Sequence, residues 1–304
     1  MKRLSIGGIA LLGVCIGVLS PTAARAQTSG TTVHPENLIN EFRTIPNITY
    51  LEANNYDAKL DIYRPAAEGL HPTLVYIHGG GWVNGSKEQS VLDLIPYLEH
   101  GWAVVNVEYR LARVSLAPAA VEDCRCALRW VIQHAKENGF DTTRIVVSGG
   151  SAGGHLALMT GMLTPAAGLD RECPGSEDLK VAAIVDWFGI TDVNDLLDGP
   201  DTRTYAVAWL GSQPDREQIA KRVSPLTYVR PGLPPILMIQ GDADPTVPYS
   251  HSVRLKRALD DAGVPNELLT IPGGKHGGFS GPEMETAFAH VWAFLAKYLP
   301  KVAS

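Results

Sequence analysis

Apolar and polar positions alternate along this chain in two rhythms. Short apolar runs of five to seven residues recur at Lys59–Tyr63, Thr73–Ile77, Ala103–Glu108, Arg144–Ser148, Val181–Trp187, Pro235–Gln240 and Asn266–Ile271. Between them lie longer stretches with apolar residues every three or four positions, at 88–99, 118–137, 152–162, 250–262 and 284–298. Runs buried on both faces read as strands of a mostly parallel sheet, and the longer stretches as covering helices. The pattern therefore predicts an α/β fold with a mostly parallel central sheet and helices on both faces. Most predicted strands end in a glycine- or aspartate-rich loop, the place where open α/β sheets gather their chemistry.

Two segments break the rhythm. About 40 residues separate the strand ending at Trp187 from the one opening at Pro235. An insertion of that length in a compact domain is usually functional, so 190–231 is read as a small lid or cap. The other is the beginning of the chain. Lys2 and Arg3 precede an apolar stretch, Leu4–Leu19, and Ala24–Arg25–Ala26 has the small-x-small form of a cleavage site. Sixteen apolar residues interrupted by glycines are short of the ~20 needed to span a bilayer. A signal peptide over 1–26 is expected, with a polar leader at 27–45 and a single domain over 27–304. This implies a secreted or periplasmic protein without stable membrane insertion. Acylation at Cys15 is disfavoured by the large Val14 before it.

The 304 residues suit one sizeable α/β domain. Removal of 1–26 would take away three basic and no acidic residues, moving the formal charge from -6 to -9. So acidic a chain, without a basic cluster, is not expected to bind nucleic acid. Cys124, Cys126 and Cys173 would remain, and no pair has metal-ligand spacing. Cys124 shares an apolar helical face with Val121, Leu128 and Val131 and reads as core. Cys126 lies about 200° round that helix and is badly placed to pair with Cys124. A Cys126–Cys173 bridge stays open, because the connection holding Cys173 should leave the opposite end of the sheet from the start of the helix.

The chemistry begins at VSGGSAGGHLA (147–157), directly after an apolar strand. Its glycines miss the spacing of a dinucleotide loop, and His155–Leu156 stands where a phosphate loop needs Lys then Ser or Thr. What fits is G-x-S-x-G, Gly149–Gly150–Ser151–Ala152–Gly153. Here a sharp strand-to-helix turn raises the serine and requires tiny residues on either side. Such a pentapeptide arises by chance in roughly one chain in ten of this length. Its context strengthens it. A serine hydroxyl needs a base and a group to orient that base. Gly241–Asp242–Ala243–Asp244 and Gly273–Gly274–Lys275–His276 follow later strands, giving the order Ser, Asp, His. His276 is the one of nine histidines on a glycine-rich loop after the final strand. Asp242, directly after its strand, reads as a loop cap. His78–Gly79–Gly80–Gly81–Trp82 follows another strand and can offer unobstructed N–H groups to an oxyanion. His78, Glu122 and Asp123 are expected to shape or anchor that loop, and His155 to be a buried packing partner. Trp82, Trp187, Trp209 and Phe279 are the candidate pocket residues, with Trp82 foremost.

Together HGGGW, YRLA (109–112), PAAVED (118–123), GGSAGGHLA and GDADPTVP resemble the hormone-sensitive-lipase-like α/β-hydrolases. VDWFGITD (185–192), SPLTYV (224–229) and PPILMIQGDADPTVP (234–248) resemble one branch, bacterial bifunctional acetylxylan esterase/feruloyl esterases. The resemblance spans about 55–299. It implies a triad of Ser151, Asp244 and His276, and an oxyanion hole from the N–H groups of Gly80, Gly81 and Ala152. It also implies a serine carboxylic-ester hydrolase with no metal or organic cofactor. The expected substrates are short acyl, acetyl or feruloyl esters of small molecules or polysaccharides. Esters of short-chain lipids or xenobiotics fit the same site. A serine exopeptidase is the alternative enzyme, and a catalytically dead hydrolase fold used for binding is the alternative from another class.

Overall fold

The computed structural model describes Met1 and residues 41–300. The segment expected to be a signal peptide, 1–26, lies outside the described residues apart from Met1. An eight-stranded sheet has the order β1-β2-β4-β3-β5-β6-β7-β8. Its strands are β1 Phe42–Ala53, β2 Tyr56–Pro65, β3 His71–Ile77, β4 Ala103–Val107, β5 Phe140–Gly150, β6 Ala183–Trp187, β7 Ile236–Gly241 and β8 Asn266–Ile271. β1 and β2 run antiparallel to each other, β2 antiparallel to β4, and all remaining neighbours are parallel.

β1 corrects the sequence reading, which placed a polar leader as far as residue 45. FRTIPNITYLEA is mostly exposed and bulged, so it carries no apolar alternation. Only pairing with β2 identifies it as an edge strand.

The helices are α1 Val91–Glu99, α2 Ala119–Gln133, α3 Ala135–Asn138, α4 Ala152–Met162, α5 Thr204–Leu210, α6 Arg216–Arg222, α7 Ser250–Asp261 and α8 Gly281–Tyr298. Alternate strand residues face opposite sides, which is why the inner strands read as continuous apolar runs. Val75, Ile77, Val105 and Val147 pack with α2, α4 and α7 on one face. Leu74, Tyr76, Val104, Val146 and Leu237 pack with α1 and α8 on the other. Helix α8 starts at a capping box, in which Ser280 N–H donates to the Glu283 carboxylate at 2.6 Å. None of the described helices is long and apolar enough to cross a membrane.

β3 connects outward to β4 while β5 connects the other way to β6, so the order reverses between β3 and β5. The crevice at such a reversal is where open α/β sheets bind ligands. The residues between β6 and β7 form α5, α6 and short 3₁₀ turns. Cys126 and Cys173 are joined by a disulfide, and Cys124 is free and buried. The loop after α4 does leave the far end of the sheet. It then doubles back along α2 far enough to bring Cys173 to Cys126, a path that chain order alone does not reveal.

Candidate active site

The turn between β5 and α4 is where the chain is most tightly constrained. Ser151 sits between them at φ 58°, ψ −121°, a conformation that costs a non-glycine residue ~1–3 kcal/mol. Its N–H donates to the Trp187 carbonyl at 2.8 Å, tying the turn to β6. Gly149 and Gly153 flank it for lack of space: a Cβ on either would run into the Ile77 carbonyl of β3. Ala152 is the first residue of α4, so its N–H has no partner within the helix and the helix dipole points its positive end at this turn.

His276 reaches the turn from the loop after β8. The Ser151 hydroxyl lies 2.8 Å from His276 Nε2, and His276 Nδ1 lies 2.8 Å from Asp244 Oδ2. Asp244 Oδ1 accepts the N–H groups of Thr246 at 2.8 Å and Val247 at 3.0 Å. Burial works against charge on Asp244. The hydrogen bonds from His276, Val247 and Thr246 outweigh it and hold the carboxyl below the usual carboxylate range. An ionised Asp244 in turn fixes the proton of His276 on Nδ1, leaving Nε2 as the acceptor for the Ser151 hydroxyl. Asp242 stands apart, capping the loop by accepting Gly273 N–H at 2.6 Å.

The loop after β3 forms the facing wall. Gly80, Gly81 and Trp82 all have positive φ, at 118°, 60° and 61°. Val83 and Asn84 N–H donate to the Gly80 carbonyl at 3.2 and 3.0 Å, closing a tight turn. His78 Nδ1 donates to the Gly79 carbonyl at 2.7 Å, and its ring stacks on Tyr109 at 4.3 Å. His78 therefore braces the loop. Asp123 does so at one remove, by binding Arg110 beside Tyr109, whose hydroxyl donates to the His78 carbonyl at 3.1 Å. Glu122 has no hydrogen bond to this loop.

Trp82 and Trp209 correct the pocket expectation. Both are fully buried and stack on each other at 4.1 Å behind the loop instead of lining the cavity. The positive φ of Trp82 turns its ring inward, where Nε1 donates to His155 Nδ1 at 3.1 Å. His155 Nε2 passes the connection on to the Val223 carbonyl at 2.6 Å. Burial lowers the His155 pKa to about 4, against the pull of that carbonyl, so the ring is a neutral packing partner.

Ser151, His276, Gly80, Gly81, Trp187 and Phe279 line one cavity of about 900 Å³. It continues between α1 and α8 over Tyr76, Tyr97, Phe288 and Trp292. Two lining residues lacked a sequence signal. Phe188, at φ 45°, sets its ring edge-on to His276 at 4.8 Å. Tyr205 of α5 packs against Gly81, and its hydroxyl donates to the Thr246 carbonyl at 3.2 Å, linking the insertion to both walls. Beneath the turn lies Asp186, whose carboxyl leaves no room for a side chain at Gly154. Burial pushes its pKa up to about 7, opposed only by the Gly189 N–H at 2.9 Å, and its Oδ2 has no partner among the described residues. No three His, Cys, Asp or Glu side chains among the described residues form a metal-binding group.

The family model BD-FAE matches residues 60–259. The chain is 31% identical to esterase LipQ of Mycobacterium tuberculosis over 67% of its own length and 50% of that protein. It is 27% identical to an ethyl acetate hydrolase of Pseudomonas putida, over 76% and 74% of the two chains. It spans about half the length of the three mycobacterial esterases it matches. Among solved structures, a truncated carbohydrate esterase from gut microbiota superposes with a TM-score of 0.71 at 27% identity, covering 84% of this chain and 96% of that one. The thermophilic esterase Est2 of Thermogutta terrifontis gives 0.69 at 30% identity, covering 86% and 95%.

Proposed function

The chain belongs to the BD-FAE family of α/β-hydrolases, and from that premise we propose that it is a serine carboxylic-ester hydrolase acting through an acyl-enzyme. Ser151 attacks the ester carbonyl while His276 Nε2 takes its proton, and Asp244 holds the imidazole and stabilises the imidazolium. The N–H groups of Gly80, Gly81 and Ala152 receive the oxyanion. His276 then returns the proton to the departing alcohol, and a water activated by the same nitrogen releases the acid. The observation that carries this reading is the pair of 2.8 Å contacts joining Ser151, His276 and Asp244 at the wall of an open cavity.

The substrates we propose are short acyl or hydroxycinnamoyl-type esters borne by carbohydrates. Support comes from the aromatic cavity and from the relatives. Est2 is described with propionate and with butyrate bound, and phosphorylated by paraoxon, and another relative is a carbohydrate esterase. A leader over 1–26 would place this activity outside the cytoplasm. The test is 4-nitrophenyl acetate hydrolysis together with fluorophosphonate labelling. Ser151→Ala is expected to lose both, and an alanine variant that keeps full turnover overturns the mechanism. A panel of acetylated xylan, methyl ferulate and 4-nitrophenyl esters of rising chain length tests the substrate. Strong preference for acyl chains of about eight carbons or more overturns the carbohydrate reading.

A further inference from the structure

The loop after α4 runs back along one face of α2 and is fastened to it at three successive levels. Arg129 pairs with Asp170 at 2.7 Å and with Glu177 at 2.8 Å. The Cys126–Cys173 disulfide comes next, one turn nearer the start of the helix. At the last level Glu172 meets Arg110, with Oε2 2.5 Å from Nη2.

Arg110 is only 1% exposed, so each of its N–H groups needs an acceptor. Asp123 takes the backbone N–H at 2.8 Å, Nε at 3.0 Å and Nη2 at 2.6 Å. Glu172 completes the set from the other side. Arg110 in turn lies between the two residues that hold the ends of the glycine loop. Tyr109 donates its hydroxyl to the His78 carbonyl at 3.1 Å, and Ala112 donates its N–H to the Trp82 carbonyl at 2.9 Å. From the disulfide to the Gly80–Gly81 donors there is thus a continuous run of directed contacts.

Resting on the ester-hydrolase reading above, we propose that Glu172, held in place by the Cys126–Cys173 disulfide, is a positioning residue for the oxyanion loop and acts through Arg110. It touches neither substrate nor reacting atoms. Its effect falls on the transition state, where the Gly80 and Gly81 N–H groups carry the developing charge, and not on ground-state binding.

The experiment measures kcat and KM for 4-nitrophenyl acetate on the disulfide-intact protein. Glu172→Ala is expected to lower kcat about tenfold at unchanged KM, less than the ~10²–10³ for deletion of a whole oxyanion donor. Glu172→Gln, which keeps an oxygen for Arg110, should recover most of it. Reducing the disulfide in the unmodified protein should reproduce the loss, and reductant should leave Cys173→Ser no slower than it already is. Glu177→Ala removes a carboxylate from the same loop without touching Arg110. It should lower the melting temperature and leave kcat unchanged. Wild-type kcat in Glu172→Ala, a loss confined to KM, or an equal kcat loss in Glu177→Ala overturns the proposal. Should Glu172→Ala fail to fold, an undiminished kcat in the reduced wild-type protein overturns it equally. An unmodified protein without turnover overturns the esterase reading and this proposal with it. Turnover that ignores Glu172 and the disulfide overturns this proposal alone.

Discussion

Replacing Asp244 with asparagine changes one atom and should nearly abolish turnover. The side chain is fully buried, and its orientation is set by two backbone donors, Thr246 and Val247, which both point at Oδ1. An asparagine must keep its oxygen toward those donors. Its NH₂ then faces His276 Nδ1 at the position of Oδ2, 2.8 Å away. A donor there forces Nδ1 to accept, moves the imidazole proton to Nε2, and leaves nothing to receive the proton of Ser151. The wrong tautomer is worth ~10⁴ in kcat, or about 5.5 kcal/mol of transition-state stabilisation. The packing is unchanged, so the melting temperature should move little. Initial rates on 4-nitrophenyl acetate at neutral pH, with thermal melts of the same samples, measure both. Asp242→Asn is the control, since Asp242 only caps the loop at Gly273, and its rate should stay within about twofold. More than about a hundredth of the wild-type rate in Asp244→Asn, or an equal loss in Asp242→Asn, would refute the reasoning.

Asp186→Asn should stabilise the protein at alkaline pH. The folded-state pKa of Asp186 is raised to about 7 by burial. The folded protein therefore binds a proton that the unfolded chain, titrating near 4, releases earlier. The protonated carboxyl's contribution is complete below about pH 4 and is lost as pH rises toward 7. Urea titrations should show the Asp186→Asn variant gaining up to a few kcal/mol over wild type at pH 8 and almost nothing at pH 4. A gain independent of pH would contradict this. Trp209→Ala removes a fully buried ring stacked on Trp82 and should cost ~3 kcal/mol by urea unfolding. This is the low end of the range, because the indole N–H it deletes has no acceptor among the described residues. A cost below about 1 kcal/mol would mean that the stack is not structural. Gly153→Ala drives a methyl group into the Ile77 carbonyl and should abolish fluorophosphonate labelling; undiminished labelling would show that the turn has room to spare.

The parts legible in the sequence were those where chemistry or space admits few residue types. Ser151, Gly149 and Gly153 belong together because the Ile77 carbonyl crosses between them, and that requirement is local enough to leave a motif. His276 and Asp244 follow strands that announce themselves by apolar runs. Side-chain direction at an unusual backbone angle was not legible. Trp82 leaves the right loop, but its φ of 61° sends the ring into the core. Phe188 and Tyr205 enter the cavity because β6 ends in a strained residue and because α5 folds over Gly81, and neither fact has a short-range signature. The Cys126–Cys173 pairing depended on the course of a loop fastened by Arg110 and Arg129, long-range contacts that no spacing rule contains.

The catalytic groups come from the ends of β3, β5, β7 and β8, and β8 is held in the sheet through β7 alone. Hydrolysis thereby becomes a coincidence signal for completed folding. A chain that has assembled the elbow and the glycine loop but has not yet added its edge strand possesses a nucleophile without a base. Recovery of turnover during refolding should therefore lag behind the signals of β-sheet formation. Any partly folded form that frays from the β8 edge would be silent toward esters while retaining most of its secondary structure.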